Sequence, residues 1–201
     1  MFIIDTIKFA KLYNNVIIPS KRDEDAGYDI YAYFKEDYII IPPHETKMIP
    51  TGLISAFDKK YVGELKERGS TGTKGIGQRC GVIDSGYRNE WLVPITNHNS
   101  NKYIIISKIS FEDFCKKYGE ENRFGEIILY ENNHVIYLTI YNSVTQEIVP
   151  SSRVIFYPYS KAICQLLIRE VPELKTEICT VEEIKSISSK RGNGKLGSSG
   201  K

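Results

Sequence analysis

The hydrophobic residues in the first half of the chain form short runs separated by turn residues. Strand-like runs occur at 38–41, 46–49, 52–57 and 61–66. Pro42 and Gly52 are among the residues that separate them, and the run at 61–66 alternates apolar with polar positions. Many short strands with Gly and Pro turns, and almost no helical periodicity, predict a mainly β fold of the sandwich, jelly-roll or barrel type.

One segment departs from this pattern. Between Ser110 and Tyr118, apolar residues recur at the spacing of one helical face, and Gly119 is well placed to end a helix. Ser110 with Asp113 resembles a capping box. The sequence therefore predicts a helix at 110–118, followed by a hairpin at 126–141 that turns at Asn132-Asn133.

Two strand patterns carry polar residues that invite a functional interpretation. The stretch 81–95 predicts a β-hairpin with Asp84 at its tip, although Asp-Ser-Gly is also ordinary turn chemistry. The apolar run 162–168 contains one amide, Gln165. A buried amide needs hydrogen-bonding partners, so Gln165 either holds a neighbouring loop or faces a ligand.

Composition restricts the function classes. A chain of 201 residues, 41% hydrophobic and 26% charged, is typical of one soluble domain, here expected over 1–201. No run is long enough to cross a membrane and the N-terminus does not resemble a signal peptide, so we expect a cytoplasmic protein. A net charge of +2 does not indicate nucleic-acid binding, and four cysteines without Cys-x-x-Cys spacing do not indicate zinc.

Two Gly/Ser-rich segments carry cations suited to phosphate groups. One is 68–75; the other is the C-terminal stretch 185–201, which has five basic residues and no acidic one. Glycine amides, hydroxyls and arginine together suit a polyphosphate, although either segment alone reads equally well as a flexible loop. We expect 185–201 to be a flexible arm. Asp29 follows small residues at the start of a strand, and a carboxylate near polyphosphate most often serves Mg²⁺.

Together these segments resemble the trimeric dUTPase family, whose signature is five short motifs in fixed order. The corresponding stretches here are 26–30, 68–71, 81–88, 161–166 and 191–200. The resemblance implies a jelly-roll or β-clip barrel, a homotrimer with active sites shared between chains, and a C-terminal arm that closes over nucleotide. It also implies hydrolysis of dUTP to dUMP and pyrophosphate with Mg²⁺, by water attacking the α-phosphorus.

The third motif would supply the catalytic centre by this resemblance. Asp84 would hydrogen-bond the sugar 3′-hydroxyl and orient the attacking water, as a positioned general base. Tyr87 would pack under the deoxyribose and leave no room for a 2′-hydroxyl. Backbone groups of the same hairpin, at Gly81 and Ile83, would read uracil.

The first, second and fourth motifs would hold the triphosphate. Arg68 and Ser70 would bind phosphate oxygens, and Asp29 would hold Mg²⁺ through its water shell. Gln165 would contact the attacking water or the α-phosphate. Gly69 belongs to the same substrate-binding loop, although the family often has a serine there, so one phosphate donor is missing.

The fifth motif would close the site. Arg191 and Ser198 would hold the outer phosphates, with Gly197 beside them. The family usually has an aromatic residue, which stacks on uracil, at the position of Leu196. Leucine can cover the base without stacking, so we consider Trp91, or an aromatic from a neighbouring chain, as its substitute.

About 44 residues, at 107–150, separate the third and fourth motifs beyond the usual spacing. An insertion here is either surface decoration that buttresses the trimer or a partner-binding surface, since some phage dUTPases carry an insert at a comparable place and act on regulators. A dCTP deaminase shares the fold but needs a glutamate on the strand after the third motif, where only Glu90 is near. Two further classes stay open, a nucleotide-switched regulatory binding protein and a β-sandwich structural protein.

Overall fold

The computed structural model describes residues 6–79 and 81–190. Its elements in chain order are β1 Lys8–Lys11, β2 Tyr28–Ile30, β3 Tyr38–Ile41, β4 Thr46–Pro50, β5 Leu53–Ala56, β6 Tyr61–Lys66, α1 Gly69–Gly72, β7 Ile76–Gln78, β8 Val82–Asp84, β9 Leu92–Asn97, β10 Tyr103–Ser107, α2 Phe111–Tyr118, β11 Glu120–Glu121, β12 Ile127–Glu131, β13 His134–Tyr137, β14 Thr139–Asn142, β15 Glu147–Pro150, β16 Val154–Pro158, β17 Cys164–Glu170 and α3 Val181–Ser186. The predicted mainly β, jelly-roll-like fold is confirmed.

Three small sheets and one strand pair surround the main apolar core. Their strand orders are β2-β17-β6-β8, β4-β9-β7, β16-β10-β3 and β1-β5. The core contains Trp91, Ile30, Ile49, Val93, Ile104, Tyr157 and Leu166, all at most 2% exposed. Short strands that alternate inward and outward residues bury one face of each sheet in this cluster, as the sequence pattern predicts.

The sheet β16-β10-β3 is apolar on both faces. Ile41 and Ile104 point into the main core, whereas Ile40 and Ile105 point into a second cluster on the other side. A strand buried on both faces reads as a continuous apolar run, which explains the uninterrupted stretch at 38–41. The second cluster is built with Phe114 and other residues of the 107–150 segment.

The 107–150 segment thus packs on the main sheet through its own small core. Helix α2 begins after Ser110, whose hydroxyl accepts from the Asp113 amide at 3.1 Å. The hairpin β12-β13 turns at Asn132-Asn133, both with positive φ, as predicted. The predicted hairpin boundary at 141 is wrong, because the chain leaves β13 after Tyr137 and forms a second hairpin, β14-β15.

The predicted hairpin over 81–95 is also wrong. Strand β8 pairs with β6, and β9 pairs with β4 and β7, so the two strands belong to different sheets. Burial of Trp91 explains the switch. Its side chain lies in the main core and its amide donates to Leu53 O at 2.9 Å, which draws the chain away from β8 before β9 begins.

Residues 172–190 belong to a second unit, distinct from 6–171. None of them is buried, so this stretch has no core of its own, and it contains one short helix, α3. The predicted arm at 185–201 begins within this helix, at Lys185 and Ser186, and its part from Arg191 onward lies outside the described residues. Within the described ranges, no helix has the length and apolarity that a membrane crossing requires.

Candidate active site

Strand register brings the first, second and fourth motifs together on one face of a sheet. Gln165 of β17 stands opposite Asp29 of β2 on one side and opposite Lys66 of β6 on the other. Residues directly opposite each other on antiparallel strands point to the same face. Because β6 leads straight into Arg68 and the single-turn helix α1, the second motif arrives beside Asp29 and Gln165.

The residues of these three motifs line a pocket, and Arg68 is at its centre. Its Nε and Nη2 donate to the two carboxylate oxygens of Asp29 at 3.1 and 3.2 Å, a bidentate ion pair. Its Nη1 lies 3.5 Å from Ser70 Oγ and 3.4 Å from Ala162 O. The guanidinium is therefore held at a fixed point, between the residues predicted to serve phosphate and metal.

Gln165 is partly exposed rather than fully buried, and it lies against a glycine. Its Nε2 donates to Glu67 O at 3.1 Å. A Cβ added at Gly27 would lie 2.8 Å from Gln165 Oε1, so the first motif needs glycine here for close approach. Gln165 ties down the loop before Arg68, as one interpretation of its amide predicted, and it also lines the pocket, where a contact with a ligand stays a prediction.

The pocket has a volume of about 940 Å³, and its charges balance. Three cations and three carboxylates line it: Lys21, Arg22, Arg68, Glu24, Asp25 and Asp29. Arg22 pairs with Asp25 at 2.8 Å, as Arg68 does with Asp29. A polyphosphate bound here would need further positive charge from a metal ion or another segment of protein.

Among the described residues, no group of three or more His, Cys, Asp or Glu side chains could hold a metal ion directly. Mg²⁺ characteristically keeps several waters and uses one or two carboxylates together with substrate phosphates. Asp29, which faces the pocket beside Arg68, fits that pattern. The donor set therefore suits a hydrated Mg²⁺ that arrives with nucleotide, and not a site built from protein ligands alone.

The turn that follows Asp84 is tightly held although it is exposed. The Tyr87 amide donates to Asp84 O at 3.0 Å, and the Tyr87 hydroxyl donates to Glu90 O at 3.1 Å. Arg88 Nη1 donates to Ser85 O and Tyr87 O, and also to Ser55 O on β5. The backbone around Asp84 and the Tyr87 hydroxyl are thus fixed by hydrogen bonds, while the Asp84 side chain is exposed.

Gly81 and Ile83 line a second, more apolar pocket of about 370 Å³, together with Met48 and Leu92. Strand β8 is the last strand of its sheet within the described residues, so its outer backbone edge has no strand beside it. An open edge offers amide and carbonyl groups at regular spacing, as reading a base through the backbone requires.

Asp84 does not join the pocket around Arg68, Asp29 and Gln165, the predicted phosphate pocket, in its own chain. Gln165 is opposite Lys66, and Asp84 is opposite Val62. Four residues along β6 and two strand spacings therefore separate the Cα atoms of Asp84 and Gln165, roughly 16 Å from strand geometry. One chain brings Asp29, Arg68, Gly69, Ser70 and Gln165 together but leaves Asp84 and Tyr87 apart from them.

Three points about the site remain: the proposed stacking residue, the fifth motif and a residue that no motif contains. Trp91 is fully buried and packs edge-to-face on Phe9 at 5.7 Å, so it cannot stack on a base, and that hypothesis is wrong. The predicted substrate residues of the fifth motif lie outside the described residues: Arg191, Leu196, Gly197 and Ser198. Sequence reasoning missed Tyr157, whose hydroxyl donates at 2.7 Å to the same Ala162 carbonyl that Arg68 contacts.

Comparison with known sequences shows that this chain is similar to dUTPases. A protein-family model described as dUTPase matches residues 14–110. The deoxyuridine 5′-triphosphate nucleotidohydrolase of Clostridioides difficile is 32% identical over 103 residues, which cover 49% of this chain and 70% of that protein. The Pol polyprotein of caprine arthritis encephalitis virus is 29% identical over 118 residues, 59% of this chain and 9% of the polyprotein.

Solved structures agree. Staphylococcus bacteriophage 80alpha dUTPase with dUpNHpp is 25% identical, with a TM-score of 0.61 over 97% of this chain and 98% of that one, and its description says that phage dUTPases control transfer of virulence genes. The dUTPase of S. aureus phage phi11, described as visualising a species-specific insert, is 20% identical with a TM-score of 0.55. That likeness covers 88% of this chain and 99% of the phi11 protein.

Proposed function

Because the chain belongs to the dUTPase family, we propose that it is a dUTP diphosphatase that releases dUMP and pyrophosphate by attack of water on the α-phosphorus. The observation that carries this proposal is the single pocket in which three separate motifs meet around Arg68. Arg68 and Ser70 bind phosphate oxygens, and Ser70 lies near the α–β bridge, where a fixed donor stabilises the charge that develops on the leaving group. Gln165, at the pocket edge, contacts the α-phosphate or the water.

Asp84 is the proposed catalytic carboxylate, and Tyr87 the group that selects deoxyribose. The carboxylate accepts a hydrogen bond from the 3′-hydroxyl and orients water for attack, which contributes about 10²–10⁴-fold in rate. The Tyr87 ring, fixed by its bond to Glu90 O, cannot move aside for a 2′-hydroxyl without losing that bond. Gly81 and Ile83 present the backbone edge of β8 to uracil.

Asp29 is proposed to hold Mg²⁺ through the ion's water shell. When bound, Mg²⁺ supplies positive charge to the triphosphate, which the balanced lining of the pocket lacks. Arg191 and Ser198 of the C-terminal arm supply the remaining contacts to the outer phosphates, with Gly197 beside them and Leu196 covering the base. The charge balance supports both assignments, because each brings cationic character that the described lining does not provide.

A homotrimer with shared sites is proposed because one chain separates Asp84 and Tyr87 from the pocket around Arg68. A water oriented by Asp84 and a phosphate held near Gln165 must lie within a few ångströms, whereas one chain places these residues roughly 16 Å apart. A neighbouring chain supplies the missing half. Exposed apolar residues beside β8 support that contact: Val82 is 69%, Met48 54% and Leu92 42% exposed.

Pyrophosphate release from dUTP, dCTP, dTTP and UTP with Mg²⁺ tests the function. We expect release from dUTP alone. We also expect the purified protein to sediment as a trimer, and cell fractionation to find it in the cytoplasm. Ammonia release from dCTP would instead support a deaminase. The structure gives a deaminase little support, because the Glu90 carboxylate accepts from the Gly52 amide at 2.7 Å and β9 carries no glutamate.

A second function, binding of a regulatory protein through 107–150, is supported by an apolar surface. Tyr130, Tyr141 and Val144 of this segment are 58%, 49% and 89% exposed. The phage 80alpha dUTPase, which the chain resembles along its length, is described as controlling gene transfer. Replacing Tyr130 and Tyr141 with serine should leave dUTP hydrolysis intact and abolish capture of a regulator. Unchanged capture would leave buttressing as the role of the segment.

A further inference from the structure

Strand β16 connects the interior of the protein with Arg68 through one carbonyl, Ala162 O. Its residues alternate between two apolar clusters: Phe156 packs with Phe114 on the 107–150 side, and Tyr157 points into the main core. Tyr157 is only 2% exposed, yet its hydroxyl is paired, because it donates to Ala162 O at 2.7 Å. A buried tyrosine normally needs such a partner, and this one is shared with a residue that lines the pocket.

The Ala162 carbonyl also accepts from Arg68 Nη1, at 3.4 Å. Besides the Tyr157 hydroxyl, which also interacts with the guanidinium directly, this carbonyl shares Arg68 with two anchors, the Asp29 carboxylate and Ser70 Oγ. Both of those anchors face the pocket and are assigned to Mg²⁺ or phosphate. The carbonyl behind Arg68 is therefore the anchor that stays in place when nucleotide and Mg²⁺ compete for the other two.

Tyr157 also contacts the other end of the second-motif loop. The Lys74 ammonium lies 5.6 Å from the centroid of the Tyr157 ring, within the range of a cation–π contact. Arg68 and Lys74 lie at the two ends of the Gly-rich segment 68–75. The buried Tyr157 side chain contacts Lys74 through its ring and Arg68 through the Ala162 carbonyl. Burial raises the pKa of Tyr157, so its hydroxyl keeps the proton that it donates.

We propose that Tyr157 is a positioning residue for dUTP binding, which fixes the Ala162 carbonyl so that Arg68 is held in place for the phosphates. The inference rests on the proposed function but assigns a role to a residue outside the five motifs. Since Arg68 contacts phosphate in the ground state and in the transition state alike, losing its alignment should affect KM more than kcat.

The test is Tyr157→Phe, which removes the hydroxyl and keeps the ring. We expect KM for dUTP to rise about three- to tenfold, the size of one lost hydrogen bond, with kcat within about twofold of wild type. Tyr159→Phe is the matched control, because Tyr159 packs edge-to-face on Phe34 and has no described contact with the pocket. It should leave KM unchanged.

A double-mutant cycle separates positioning from a general loss of structure. Binding of dUpNHpp is measured by calorimetry for Tyr157→Phe, Arg68→Gln and the double variant. If Tyr157 acts through Arg68, its effect on Kd should disappear in the Arg68→Gln background. An equal effect in both backgrounds, or no effect in either, would overturn the inference while wild-type activity stands. Absence of dUTP hydrolysis by wild type would overturn the proposed function itself, and the inference with it.

Discussion

In the phosphate pocket, Arg68, Asp29 and Gln165 come from three distant stretches and are held by contacts within one chain, whereas Asp84 stands exposed at the edge of the same sheet. The pocket residues are bonded to each other or to backbone carbonyls. The Asp84 turn is equally well held, by Arg88 and Tyr87, but nothing described in its own chain approaches the carboxylate from the substrate side.

The difference bears on which part of the proposed catalysis a single chain could perform. A chain alone assembles Asp29, Arg68 and Gln165, the residues proposed to serve phosphate and metal. Strand register keeps Asp84 roughly 16 Å from Gln165 in the same chain, so the proposed chemistry needs a second chain. Binding and chemistry are therefore expected to respond differently to mutation and to subunit assembly, and the following predictions use that difference.

The largest expected effect is that of Asp84→Asn. The amide keeps the size of the side chain but cannot act as a base for water, so kcat should fall by about 10²–10⁴-fold. Steady-state pyrophosphate release measures kcat, and calorimetry with dUpNHpp should show binding close to that of wild type. Retention of most of the activity would mean that Asp84 takes no part in the chemistry, and the exposed Asp84 turn would then have no catalytic role to compare with the pocket.

The next prediction concerns sites made of two chains. Asp84→Asn and Arg68→Gln trimers are mixed, partly unfolded and reassembled, and activity is measured at a dUTP concentration at which each variant alone is nearly inactive. If each site takes its carboxylate from one chain and its pocket from the next, about a quarter of the sites should be intact, since a cyclic trimer draws each half at random. If one chain supplied both halves, no site would recover.

Each variant reassembled alone is the control for that experiment and should remain inactive. Recovery must also depend on exchange of chains, so mixing intact trimers without the unfolding step should restore nothing. Reassembly without recovery would contradict the shared site, and the separation of roughly 16 Å from strand geometry would then have to be bridged by movement within one chain.

The fold class was predictable because it depends on local pattern. The alternation at 61–66 follows from a strand with one buried face, and the unbroken apolar run at 38–41 follows from a strand that is buried on both faces. The helix after Ser110 was also predictable, because its cap and its apolar face lie within nine residues. In each case the signal and the structure occupy the same short stretch.

The errors concern partners that are distant in sequence. The strands before and after Asp84 fit a hairpin locally, yet β8 pairs with β6 and β9 with β4, because Trp91 is buried between them. Three of the five motifs meet in the pocket, and each identified its own residues there, because each motif is local; Lys21, Arg22, Glu24 and Asp25 also line the pocket but belong to no motif. Tyr157 has no motif, and only the fold places its hydroxyl at the carbonyl behind Arg68.

A smaller effect is expected from Gly27→Ala. The new Cβ would lie 2.8 Å from Gln165 Oε1 and 3.1 Å from Gln165 Cβ, so the amide must shift from the position in which it donates to Glu67 O. Misplacing a group at the α-phosphate by about 1 Å should lower kcat/KM roughly tenfold or more. Gly69→Ala is the matched control, because no atom lies within 4 Å of its added Cβ, and it should keep kcat/KM near wild type.

The smallest expected effect is a gain. Gly69 has open space around it, and the family usually has a serine there, so Gly69→Ser adds a hydroxyl to the phosphate loop without displacing Arg68. One added hydrogen bond should lower KM for dUTP by about two- to tenfold and leave kcat unchanged. Gly69→Ala separates the hydroxyl from the Cβ that carries it. Equal KM values for the serine and alanine variants would mean that nucleotide does not reach this side of the pocket, and Arg68 would then bind phosphate from the Gln165 side alone.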